Sequence, residues 1–262
     1  MITAGVDAGN KYTRVVIMKD GLVLSRSMGL SGFDQKAAVA GAFDRAVSGA
    51  GLNRGDVGYV VATGAGKGEA ICADETITEV SAGARGAIFL LPSARTVIDV
   101  GAEEGRVIKC DGRGKVVDFA INDKCAAGSG SFIEAMARAL EVPLEEMGPL
   151  ALKSTRNIPM NAQCAVFAES EVVSLIHART AKEDISKAVH EAVAARIISM
   201  ARRVGVEKDL VLIGGLGNNV GFARALGEGL EMAVNVPEKP EYVSAIGAAL
   251  AAAEKLAERV SR

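Results

Sequence analysis

Two cysteines, Cys125 and Cys164, stand in stretches suited to holding a negatively charged sulfur. Asn122 to Phe132 reads N-D-K-C-A-A-G-S-G-S-F, so Gly128, Ser129 and Gly130 follow Cys125 just ahead of an apolar helical stripe, Phe132, Ile133, Met136, Ala137 and Leu140. At such a corner the free backbone N–H groups and the positive helix end point at the loop, which favours anions and a thiolate. Thirty-nine residues on, Cys164 repeats the arrangement in N-A-Q-C-A-V-F-A-E-S-E, a polar turn, a cysteine and a helix-like run.

Carboxylates form the second constellation. Asp7-Ala8-Gly9-Asn10-Lys11 is a tight turn after a strand, and Asp99-Val100-Gly101-Ala102-Glu103 is another, with Asp99 lying 92 residues after Asp7. At that offset Gly101 falls under Gly9 and Val107 under Val15, and Asp111-Gly112 follows the second strand as Asp20-Gly21 does. The order of strand, turn, strand, turn, strand is therefore read as an internal duplication. A carboxylate beside N–H groups freed by glycine suits a phosphate tail and a Mg²⁺ ion held through its waters, and Glu103 is placed to orient an attacking water. A third glycine turn, Gly214-Gly215-Leu216-Gly217-Asn218-Asn219, follows a buried strand. On this reading Gly9, Asn10, Lys11, Gly101, Ala102, Gly128, Ser129, Gly130, Gly214, Gly215 and Asn219 line the nucleotide. Thr63-Gly64-Ala65-Gly66-Lys67-Gly68 is read as a plain turn, because Val61 and Gly68 stand where a P-loop needs glycine and a hydroxyl.

The elements that position these groups follow from periodicity. Strands are expected over 2–7, 12–18, 22–25, 57–63 and 209–213, with two more in the hairpin 95–117. Helices are expected over 37–50, 79–91, 185–204 and 242–253, the second stopped by Pro92. The small faces Ala82–Ala87 and Ser244–Ala253 predict closely packed helices. His177 and His190 fall in helical stretches and are read as surface or core residues.

With 49% apolar residues in 262, the chain can build a large core, and its net charge of −2 offers nothing to nucleic acid or to an anionic membrane. No apolar run reaches the roughly 18 residues of a membrane span, and no basic leader precedes the first strand. The expected location is cytoplasmic, where Cys72, Cys110, Cys125 and Cys164 are reduced, metal-bound or buried.

The segments D7-A-G, A82-G-A-R-G, D99-V-G, I213-G-G-L-G-N-N and S244-A-I-G-A-A resemble the five signatures of the actin, hexokinase and heat-shock chaperone ATPase superfamily. The two cysteine stretches narrow the resemblance to activator ATPases of 2-hydroxyacyl-CoA dehydratases and ATP-binding subunits of benzoyl-CoA reductase, along essentially the whole chain. It implies an α/β fold of two similar ribonuclease H-like lobes around a nucleotide cleft, lobe I being 1–92 plus 244–262 and lobe II 93–243. It further implies Mg-ATP as cofactor, with Asp7 and Asp99 on the metal. Cys125 and Cys164 become ligands of a [4Fe-4S] cluster shared across a subunit interface, in a homodimer or with a homologous ATPase subunit. A ferredoxin-like donor and a reductase or dehydratase component are the implied partners. Activators carry D-I-G-G-Q-D where this chain has D99-V-G-A-E-E, which is closer to the benzoyl-CoA reductase branch, and Gly83 replaces a frequent histidine. The alternatives are a small-metabolite kinase of the same superfamily and a nucleotide-binding regulatory protein.

Overall fold

Runs of Val, Ile and Thr make the strands, and Asp-Gly reverses them. The structure is a computed structural model that describes residues 1–122, 126–160 and 164–261. It begins with an antiparallel meander of β1 (Ile2–Ala8), β2 (Tyr12–Lys19) and β3 (Leu22–Leu30). Asp20 (φ 51°) and Gly21 (φ 82°) take the left-handed backbone of a two-residue hairpin turn. β3 runs beyond the expected Ser25 because Ser25 and Ser27 turn inward, where their hydroxyls donate to the Ala46 and Ala42 carbonyls. Those carbonyls belong to α1 (Gln35–Gly49), whose first turn is capped by Asp34. β4 (Tyr59–Thr63) pairs parallel with β1, and β5 (Glu75–Thr76) with β4. α2 (Glu79–Leu90) is capped by Thr78 and stops before Pro92.

The pattern then recurs with β6 (Thr96–Val100), β7 (Gly105–Cys110) and β8 (Val116–Asn122). Four helices follow, α3 (Gly130–Ala139), α4 (Leu144–Ala151), α5 (Ala165–His177) and α6 (Lys182–Val204). β9 (Leu210–Ile213) pairs parallel with β6, and α7 (Val220–Leu230), β10 (Val234–Asn235) and α8 (Val243–Val260) complete the order. The sheets run β3-β2-β1-β4-β5 and β8-β7-β6-β9-β10. They are one topology built twice, as the 92-residue offset predicts.

The chain divides into two compact units, residues 1–94, 110–117 and 242–262, and residues 95–109 and 118–241. In the first unit α1 covers Val6, Ala8, Val15, Ile17, Val60 and Ala62 on one face of the sheet, while α8 covers Val16, Met18 and Val61 on the other. Small residues set how closely α8 sits. A Cβ on Gly5 would enter the Ala245 carbonyl, one on Gly247 the Ala82 carbonyl, and one on Gly86 the Val243 carbonyl. In the second unit Phe132, Ile133 and Met136 of α3 meet Ile185, Val189 and Ile197 of α6 and Phe222 of α7 over Ile98, Val107 and Leu212. Burying side chains of this size contributes about 1.5–3 kcal/mol each, which is what holds both aspartate turns on rigid sheets.

Candidate functional site

Each D-x-G turn closes the mouth of an antiparallel pair, so a basic residue on the second strand stands opposite the aspartate. Asp7 pairs in register with Arg14, whose Nη1 lies 3.6 Å from Asp7 Oδ2. Asp99 pairs in register with Arg106, whose Nη1 lies 3.2 Å from Asp99 Oδ2. Arg106 also binds Glu104 through Nη2. Both ion pairs are largely buried, a setting that keeps each carboxylate in one orientation as long as its partner remains. The turns share a further bond: Gly9 N donates to Tyr12 O at 3.2 Å, and Gly101 N to Glu104 O at 2.8 Å.

The neighbouring parallel strand closes each turn from the side. Gly64 (φ 93°) follows β4 and Gly214 (φ 82°) follows β9, both left-handed. A Cβ on Gly64 would lie 2.7 Å from Asp7 Oδ1, and one on Gly214 would lie 2.5 Å from Asp99 Oδ1. Glycine is required twice over at each, by backbone conformation and by the carboxylate pressed against it. Gly214 is among the residues expected at the nucleotide. Gly64, in a segment whose sequence suggests an ordinary turn, occupies the same place in the first unit. Gly66 N donates to Ala8 O at 2.8 Å and ties the Thr63–Gly66 segment to the Asp7 turn.

What lies behind the two turns differs. Ser31, just past β3, donates its N–H to Lys11 O at 2.9 Å and its hydroxyl to Gly9 O at 2.6 Å, and it receives Thr13 Oγ1 at 3.0 Å. Behind the second turn stands the head of α3: Gly130 N donates to Gly101 O at 2.9 Å and Ser131 N to Ala102 O at 2.8 Å.

The remaining expected residues divide by whether their side chains are already engaged. Asn10 and Glu103 are exposed, and Lys11 lies with Nζ 5.7 Å from the Tyr12 ring centre. Ser129 is buried with Oγ 3.0 Å from both Ala126 O and Ser131 Oγ, so its hydroxyl is already engaged within the chain. Asn219 caps α7, its Oδ1 accepting from Phe222 N at 3.0 Å. Gly215 opens the short turn that reaches Asn218. Cys164 is half-buried at the head of α5, whose first N–H groups have no side-chain cap. Cys125 lies outside the described residues. Cys110 is buried and Cys72 half-buried, where desolvation pushes its thiol upward. His177 is exposed. His190 is buried in α6 with Nδ1 2.7 Å from the Ser186 carbonyl, and burial pushes its pKa below the ordinary imidazole value. Among the described residues no group of three or more His, Cys, Asp or Glu is placed to hold a metal ion.

Residues 4–252 match the model of the BadF/BadG/BcrA/BcrD ATPase family. The chain belongs to this family. It is 41% identical over 254 residues to an activator of lactoyl-CoA dehydratase from Anaerotignum propionicum, covering 97% of this chain and 98% of that one. It is 34% identical over 271 residues to one of the benzoyl-CoA reductase subunits of Thauera aromatica, covering 98% and 95%. A solved activator of the 2-hydroxyisocaproyl-CoA dehydratase from Clostridium difficile, with bound ADPNP, superimposes with a TM-score of 0.95 at 35% identity, covering 100% of this chain and 97% of that one. The BadF/BadG/BcrA/BcrD fold of this chain is thus the actin-like ATPase fold.

Arg14, Arg106 and Gly64 are the residues of this BadF/BadG/BcrA/BcrD site that composition and motif reading pass over. The same 92-residue offset that aligns Asp7 with Asp99 also aligns Arg14 with Arg106, so the duplication itself carries that signal.

Proposed function

We propose that this chain is an ATP-hydrolysing electron activator that hands low-potential electrons to a reductase or dehydratase component acting on an acyl-CoA. The observation that carries this reading is the pair of hydrogen bonds from Gly130 and Ser131 to Gly101 and Ala102. They fasten the helix that follows the Cys125 segment to the Asp99 turn. A change at that turn on hydrolysis is then passed to α3, the helix that follows Cys125 in the chain.

In this reading Asp7 and Asp99 hold Mg²⁺ through its waters, the backbone N–H groups of the glycine turns meet the phosphates, and exposed Glu103 orients the attacking water. Cys125 and Cys164 are, in this reading, ligands of an iron–sulfur cluster. Cys164 stands at the head of α5, and with two thiols coming from one chain, a second copy or a homologous subunit supplies the other two. A [4Fe-4S] cluster bound there supplies one-electron chemistry at a potential set by hydrogen bonding and exposure. The electron source is a ferredoxin-like protein and the setting cytoplasmic. No helix among the described residues is long and apolar enough to cross a membrane.

Two branches of partner remain. The segment D99-V-G-A-E-E favours a benzoyl-CoA reductase, whereas whole-chain identity is higher to the lactoyl-CoA dehydratase activator, 41% against 34%.

The test is anaerobic purification followed by iron analysis and visible absorbance, for the natural chain and for Cys164→Ala. Cluster absorbance and iron are expected in the first and lost in the second, with weaker subunit association. With reduced donor, Mg·ATP and partner, ATP-dependent oxidation of the protein should require the partner. A Cys164→Ala protein with full iron content sinks the ligand assignment, and turnover of an acyl-CoA or phosphorylation of a small metabolite by the chain alone sinks the activator reading.

A further inference from the structure

The duplication supplies an internal control for every residue of the aspartate turns. Asp7 and Asp99 correspond, as do Arg14 and Arg106, and Gly64 and Gly214. The residue just before each left-handed glycine does not. In the second unit it is Ile213, fully buried at the end of β9 in register with Asp99. In the first unit it is Thr63, fully buried at the end of β4 in register with Asp7. An aliphatic side chain therefore satisfies the fold at this position, yet the first unit carries a hydroxyl. Among the described residues Thr63 Oγ1 has no hydrogen-bond partner. A buried donor left unpaired is costly, and few native structures retain one without a use for it.

In-register partners on parallel strands project to the same face, and adjacent strands lie about 4.8 Å apart. Thr63 and Asp7 are therefore side-by-side neighbours. Asp7 Oδ1 leans against Gly64, the residue next to Thr63. On its other side Asp7 Oδ2 is 3.6 Å from Arg14 Nη1, an ion-pair contact longer than a hydrogen bond.

We propose that Thr63 is a positioning residue for Asp7: its hydroxyl donates to the Asp7 carboxylate when Mg·nucleotide binds, and fixes the oxygen that receives the metal's water. This rests on the ATPase reading and deepens it. It names the Thr63–Gly66 segment as the first-unit counterpart of the Gly214 turn.

The test uses the full chain with Thr63→Val, which keeps the shape and removes the hydroxyl, and Thr63→Ser, which keeps the hydroxyl. Three quantities are read: melting temperature without nucleotide, its rise with Mg·ADP against ADP in EDTA, and the steady-state kcat and KM for Mg·ATP. For Thr63→Val the nucleotide-free melting temperature should equal or exceed that of the natural chain, because no bond is lost. The Mg·ADP-dependent rise should shrink by half or more, while the rise with ADP in EDTA stays unchanged. Its kcat should fall about tenfold with KM within about threefold, the loss expected when one charge-assisted hydrogen bond is missing. Thr63→Ser should recover both. A valine protein with natural kcat and natural Mg·ADP response overturns the proposal. So does a valine protein that melts lower without nucleotide and is not rescued by serine, since that describes packing. A natural chain that neither hydrolyses ATP nor responds to Mg·ADP overturns the ATPase reading itself, and the proposal with it.

Discussion

In the first unit the aspartate turn leans on a strand end, Ser31, and in the second it leans on the head of a helix, α3. The front of each turn is the same: an aspartate, an arginine opposite it, a glycine two residues on and a left-handed glycine on the parallel strand. Duplication preserved the backbone that presents a carboxylate, because that backbone tolerates little change. It left the rear of each turn free to diverge. A turn backed by Ser31 and Thr13 is anchored within its own sheet. A turn that holds the first N–H groups of α3 is joined to a ten-residue helix and passes on what happens to it.

The sharpest way to break the comparison is at the two left-handed glycines. Gly64→Ala and Gly214→Ala should each destabilise by about 2–4 kcal/mol, since both positive φ and a carboxylate oxygen stand against the new methyl group. Urea unfolding of the two variants measures this. If one is tolerated within about 0.5 kcal/mol while the other is not, the two turns are not equivalent in backbone demand.

The glycines also mark how far the sequence can be read. Both D-x-G turns, their offset, Gly214 and the α2–α8 packing are legible because each depends on local spacing. The arginines do not stand out, because an ion pair across a hairpin becomes visible only once register is known. Gly64 is hidden by its context: Lys67 invites comparison with a P-loop, and when that fails a plain turn is the default. Its true counterpart, Gly214, lies 150 residues away instead of 92, since α3, α4, α5 and α6 stand between β8 and β9 where the first half has α1 between β3 and β4. β3 is longer than its apolar pattern suggests because Ser25 and Ser27 bond to α1 at positions where an apolar residue is the usual inward-facing choice.

A smaller effect separates chemistry from scaffold. Asp99→Asn should lower ATP hydrolysis tenfold or more, the range found when a charge-stabilising group is removed from a site. The fold should persist, because Arg106 keeps Glu104 as a partner. A phosphate-release assay alongside circular dichroism reads both. Unchanged hydrolysis would remove Asp99 from the metal site and leave the second turn as scaffold alone.

The smallest effect lies in stability between pH 7.5 and 5.5, and it involves a buried histidine of the second unit. Burial holds the folded-state pKa of His190 below its unfolded value of about 6.5. The unfolded chain then binds the extra proton first, so stability present above that pH is lost as pH falls through about 6.5 toward the lower folded value, at no more than about 1.4 kcal/mol per pH unit. Urea unfolding from pH 7.5 to 5.5 should show this loss, and His190→Gln should flatten it. An unchanged slope in His190→Gln would place the acid sensitivity elsewhere.

The seating of α8 has a consequence for how the protein is made. The first sheet needs α8 on one face, with Gly5 against the Ala245 carbonyl and Gly247 against that of Ala82. A ribosome emits β1 to β5 before any of the second unit and α8 after all of it. Residues 95–109 and 118–241 can therefore complete their own core during synthesis, while Val16, Met18 and Val61 wait uncovered until α8 emerges. The unit whose strands emerge before the second unit is the unit whose folding is completed after it.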